Sequence, residues 1–190
     1  MNNNISISKA TKFDIPQILL LQSKYLVSNL TAEEKKEGFV TTPFTIQQIE
    51  QIIVEDGLFI AIDDDKVIAY VYAGSWDYFS QWPIFPFMTN RFDNLSFNNT
   101  TISTTNSFQY GPICIDIEYR GTSLLKNIFE FMRVNLHSRY PISVTFINKI
   151  NGRSFKAHTD KLKWIVIDEF EFNNNNFWML ALDMNISVLD

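Results

Sequence analysis

"EYRGTSLLKNIF", Glu118–Phe129, is the stretch on which the fold turns. It follows "ICIDI", Ile113–Ile117, where apolar and polar side chains alternate as they do along a strand. It leads into Leu124, Leu125, Ile128, Phe131, Met132 and Leu136, the spacing of an amphipathic helix. A strand, an Arg-Gly turn and a helix start bring unpaired backbone N–H groups and a partial positive charge together, which favours an anion. Small residues let the anion reach the backbone. Ser123 is small and adds a donor hydroxyl, whereas Leu125 is bulky and fits only with its side chain turned into the core.

The flanking sequence supplies the other elements. Ile5–Ser8 alternates as a short strand. Asp14 and Pro16 suit the start of a helix that runs through Tyr25 and Leu26. Residues 31–43 are charged, then turn-like. Thr45 and Gln48 have capping-box spacing ahead of an isoleucine stripe, and Gly57 is a natural terminator. Leu58–Ile62 and Val67–Tyr72 read as strands joined by an aspartate-rich hairpin turn, a role aspartate suits better than a calcium loop at this spacing. The strand Tyr110–Ile117 and the central helix come next. Then follow a strand over Ile142–Ile147, a short polar helix over Asn151–Leu162, and two strands, Trp164–Phe170 and Phe177–Leu182. Residues 76–108 stand apart, aromatic in the first half and rich in Asn, Thr and Ser in the second. A segment of this kind is either folded onto the core or serves as a lid, pocket wall or interface.

At 190 residues and 46% hydrophobic, the chain suits one domain, 1–190, with an insertion at about 76–108. Its net charge of −5 argues against a nucleic-acid partner, whose phosphates demand Lys and Arg. One cysteine permits no internal disulfide and fits a reducing compartment. No apolar run is long enough for a membrane span and the first residues lack a signal-peptide pattern, so a soluble, cytoplasmic protein is expected.

The element order resembles that of the GNAT superfamily of acyl-CoA N-acyltransferases, an α+β fold with a mixed, mostly antiparallel sheet flanked by helices. "CIDIEYRGTSLLKNIFEFM" is similar to the family's acyl-CoA loop, Arg/Gln-x-x-Gly-x-Gly/Ala, with Arg120 at the first position, Ser123 where Gly is usual and Leu125 where Gly or Ala is usual. "NGRSFKAHTDKLKW" is similar to a later family segment, with Lys163 where a Gly would precede Trp164.

The resemblance implies acetyl-CoA or another acyl-CoA as co-substrate, no metal, and a small-molecule or peptide amine as acceptor. It implies that Cys114, Ile115 and Ile117 lie along pantetheine, with a backbone N–H near Ile115 polarising the thioester carbonyl. Arg120, Gly121, Thr122, Ser123, Leu124 and Leu125 would hold the diphosphate. Asn151 and Ser154 would hold pantetheine or nucleotide. His158 stands where the family often places a tyrosine acid, and Glu118 or its strand neighbour Asp116 is the expected base. Cys114, mid-strand with no histidine beside it, reads as an apolar filler, so direct attack by the amine is expected over an acyl-enzyme. Two other readings start from the same residues. In one, the imperfect loop makes a non-catalytic acyl-CoA sensor. In the other, the aromatics of 76–108 build a homodimer or partner surface.

Overall fold

The structure, a computed structural model, describes residues 5–189. In chain order its elements are β1 (Ile5–Lys9), α1 (Ile15–Tyr25), α2 (Ala32–Lys35), α3 (Ile46–Val54), β2 (Leu58–Asp63), β3 (Lys66–Gly74), α4 (Trp76–Phe79), α5 (Ile84–Thr89), β4 (Ser96–Phe97), β5 (Thr100–Thr101), β6 (Ser107–Ile115), α6 (Leu124–Leu136), β7 (Ile142–Asn148), α7 (Gly152–Lys156), β8 (Ile165–Phe172) and β9 (Asn175–Asp183). Seven strands form one mixed sheet in the order β1-β2-β3-β6-β7-β9-β8. The β1–β2, β2–β3, β7–β9 and β8–β9 pairs are antiparallel, and β6 runs parallel to β7 over Ser107–Gln109.

Two compact units divide the chain, and β6 and α6 each pass from one to the other. The first holds the residues up to Ala73 together with Gly111–Met132. Its α3 starts where expected: Thr45 Oγ1 accepts the Gln48 N–H while Gln48 returns a bond to the Thr45 N–H. Asp14, expected as a cap for α1, instead bonds back to the N–H and hydroxyl of Thr11. Gly57 does a different job from the one expected. Asp56 takes the left-handed conformation (φ 59°) that ends the helix. Gly57 is needed for space, because a Cβ there would sit 2.3 Å from the Ala73 carbonyl oxygen. The aspartate-rich stretch is the expected hairpin turn, with Asp64 at φ 52°. Phe59 meets Phe131 of α6 edge to face, and Phe44 stacks on Tyr72 at 4.2 Å.

The second unit holds Gly74–Tyr110 and Arg133–Val188. Residues 76–108 are not a structureless connection. They make α4, α5, a single helical turn at Phe92–Asn94 and the small β4–β5 hairpin, then enter β6 at Ser107, three residues before the expected strand start. Trp76, Tyr78, Phe79, Phe85, Met88, Phe92, Phe97 and Ile102 are all buried. The Trp76 indole N–H donates to Ser107 Oγ at 3.1 Å, and Phe85 packs on Phe146 of β7. The aromatic wealth of this segment is therefore core, folded onto the unit's own strands. Asn173 and Asn174, both at positive φ, form the tight turn between β8 and β9.

Among the described residues no helix is long and apolar enough to cross a membrane. Nor does any group of three or more His, Cys, Asp or Glu gather as a metal site.

Candidate functional site

In the first unit, β6 ends at Ile115, two residues earlier than the alternation suggests, and a helical turn over Ile117–Tyr119 carries the chain to Gly121. The face pattern differs from a simple amphipathic strand. Cys114 and Asp116 are buried, Ile113 and Ile115 are half-buried, and Ile117 and Glu118 are exposed. Glu118 and Asp116 therefore do not share one polar strand face, because the turn intervenes between them.

Asp116 can be buried because its charge is met on every side. Lys24 Nζ lies 3.0 Å from Oδ1, Lys66 Nζ lies 3.3 Å from Oδ2, and the Tyr25 hydroxyl donates to Oδ1 at 3.0 Å. Burial alone would raise the Asp116 pKa, but these bonds outweigh it and hold the carboxyl below its ordinary value. A carboxylate so engaged is a poor proton acceptor. The Tyr25 oxygen also accepts the Ile117 N–H at 2.7 Å, fixing the exit from β6. Burial pushes the Cys114 thiol up to about 12, which keeps it protonated and unreactive.

Asp116 N–H donates to the Ile68 carbonyl on the β3 side. Strand alternation then aims the N–H and C=O of Ile115 at the opposite edge, and Arg120 Nε donates to that carbonyl at 2.7 Å. Gly121 takes φ 84°, a conformation that a side chain resists, although nothing lies within 4 Å of where a Cβ would be. Thr122 Oγ1 donates to the Tyr119 carbonyl and accepts the Leu124 N–H, capping α6. Among the described residues, no partner within the chain takes the amides of Ser123, Leu125 or Lys126. Ser123 is exposed and Leu125 is half-buried. The start of α6 thus keeps open amides in spite of its missing glycines.

In the second unit, Asn151 Oδ1 accepts the Ser154 N–H and caps α7. His158, in the wide helical turn Ala157–Lys161 that continues α7, is 4% exposed. Its Nδ1 lies 2.7 Å from the Ser154 carbonyl, which can only accept, so Nδ1 carries the proton. Nε2, 3.3 Å from the Tyr110 hydroxyl, is then the acceptor. Burial pushes the His158 pKa down to about 4, against the opposing pull of the Ser154 bond. A neutral imidazole with its one proton on a backbone carbonyl has none to give at neutral pH, so these surroundings oppose the donor role expected of it. Lys163 adopts φ 64°. The backbone there keeps the glycine-like conformation even though the residue is lysine.

No family model matches the sequence, and no curated protein matches it. Solved structures do match the fold. An N-acetyltransferase from Staphylococcus aureus Mu50 is similar with a TM-score of 0.63 and 18% identity, over 95% of this chain and 99% of that one. A putative acetyltransferase from Salmonella typhimurium, solved with its cofactor acetyl-CoA, is similar with a TM-score of 0.63 and 15% identity, over 96% and 95% of the two chains. The chain has the GNAT acetyltransferase fold. The ribosomal-protein-S18-alanine N-acetyltransferase from Escherichia coli extends the likeness to a protein-modifying enzyme, with a TM-score of 0.60 and 11% identity over 95% and 94% of the two chains.

Proposed function

We propose that this GNAT-fold chain is an N-acyltransferase that moves an acyl group from acetyl-CoA or a related thioester to an amine. The observation that carries the reading is the open start of α6. The unpartnered amides of Ser123, Leu125 and Lys126 follow a glycine at φ 84° on a 13-residue helix. Such a helix end favours a diphosphate through direct N–H donation and through its dipole. Gly121 and Thr122 shape the turn, Ser123 adds a hydroxyl, and the buried Leu124 and half-buried Leu125 anchor it. Ile115, with its N–H at the strand edge away from β3, is suited to polarise the thioester carbonyl, while Cys114 and Ile117 flank it on the chain. Asn151 and Ser154 keep the role of polar contacts to pantetheine or nucleotide, with Asn151 also capping α7.

In the reaction the amine nitrogen attacks the thioester carbonyl carbon and the C–S bond breaks. Glu118, exposed beside the loop, takes the amine proton directly or through water. With His158 held neutral, the departing thiolate draws its proton from solvent. The part of His158 is to lock α7 and Tyr110 in place. The acceptor is a small-molecule or peptide amine.

The test is a thermal-shift titration with acetyl-CoA, followed by a free-thiol assay across a panel of amines and peptides. A rising melting temperature and thiol release are expected. A flat titration to millimolar ligand refutes the reading. A second reading, an acyl-CoA sensor without turnover, is favoured by one observation: neither His158 nor Asp116 is in a state to exchange protons near neutral pH. Binding without thiol release on any amine supports it.

A further inference from the structure

The half-buried Arg120 is engaged within the chain. Its Nε donates to the Ile115 carbonyl at 2.7 Å, its Nη1 donates to the Glu37 carbonyl at 2.5 Å, and its Cζ lies 4.5 Å from the centre of the Tyr25 ring. Glu37 belongs to a loop closed at its base by Val27 N–H to the Val40 carbonyl and by Val40 N–H to the Tyr25 carbonyl. Between those ends the loop holds α2 and the exposed charges Glu33, Glu34 and Lys36. Tyr25 is shared. Its ring carries Arg120, its carbonyl closes the loop, and its hydroxyl bridges the Ile117 N–H and Asp116. Tyr25, through its backbone and its side chain together, thus ties the loop of residues 27–40 to the turn that leads into α6.

We propose that Arg120 is a positioning residue, not a phosphate ligand: its fork clips the 27–40 loop to the β6–α6 turn, so that the loop is held where the turn is held. This deepens the acyltransferase reading and rests on it only where CoA is added. A planar fork with several fixed donors suits two backbone carbonyls and an aromatic face at once, which an ammonium cannot match. A phosphate contact draws largely on the positive charge, part of which Arg120→Lys keeps.

That difference sets the test. Hydrogen–deuterium exchange on peptides covering residues 31–40 is measured in the ligand-free wild type, Arg120→Ala and Arg120→Lys, and CoA affinity is measured against salt concentration in all three. Exchange in the loop is expected to rise about tenfold in both variants, the effect of one lost charged hydrogen bond. Lysine does not restore protection, and the salt dependence of CoA affinity stays that of the wild type. Loop exchange unchanged in Arg120→Lys overturns the proposal. So does a CoA affinity that falls in Arg120→Ala with a shallower salt dependence and returns in Arg120→Lys, because that pattern marks a phosphate contact. Should Arg120→Ala fail to fold, Arg120→Lys, which keeps length and charge, decides alone. The exchange arm needs no CoA, so failure of the acyltransferase reading leaves it intact.

Discussion

His158 makes acid stability of this chain a direct reading of one buried ring. The unfolded histidine titrates near its ordinary value of 6.5, whereas the folded one is pushed down to about 4. Between those values the unfolded state binds a proton that the folded state refuses, so stability is complete above pH 6.5 and falls as pH drops toward 4. The gap is worth about 3 kcal/mol in full, of which roughly 2 to 3 kcal/mol is spent by pH 4.5. Replacing His158 with Gln removes the titration. The variant starts less stable at pH 7.5, because the Ser154 carbonyl and the Tyr110 hydroxyl lose their imidazole partner. Its further loss between pH 7.5 and 4.5 should be smaller than that of the wild type by about 2 kcal/mol. The assay is urea unfolding at both pH values for both proteins. Carboxylates common to the two cancel in the comparison, and Asp116, held below its ordinary value of 3.8, titrates under this window. Parallel losses in the two proteins would refute the claim that His158 is neutral and enclosed.

Other substitutions probe the frame around the site. Lys163→Gly relieves a left-handed lysine and should stabilise the chain by about 1 kcal/mol, read as a higher melting temperature. Gly57→Ala drives a Cβ against the Ala73 carbonyl and should destabilise by about 2 kcal/mol or more in denaturant unfolding. Asp116→Asn leaves Lys24 and Lys66 without their shared anion. Because both lysines are half exposed, the expected loss is about 2 kcal/mol, below that of a fully enclosed pair.

Much of the architecture could be read from local chemistry. The hydrophobic periods gave the order of the main elements, Thr45 and Gln48 announced α3, and the aspartates marked the β2–β3 hairpin. What could not be read depended on residues distant in sequence. Asp116 is buried because Lys24, Tyr25 and Lys66 reach it from other elements, a match that alternation along one strand cannot reveal. The same holds for Arg120, whose partner Glu37 lies in a loop where nothing local announces the contact. The burial of His158 could not be read from its polar helix, because the wide turn that follows α7 carries the ring inward to Tyr110. Whether the aromatics of 76–108 belong to the core or to a surface stays open in the sequence, because no period organises them. They pack as short helices, which are too brief to show one. Lys163 hid a glycine-like backbone behind a lysine side chain.

The central claim is that open amides at the start of α6 bind the diphosphate of CoA, and calorimetric titration of CoA into wild type and Ser123→Glu tests it most directly. A carboxylate at that exposed position just ahead of α6 repels phosphate yet suits the helix dipole, so the fold should persist while affinity drops by about tenfold or more. Measurable wild-type binding, lost in a Ser123→Glu protein of undiminished melting temperature, is the expected result. Equal affinity in the two proteins, or no binding heat in either, would contradict it.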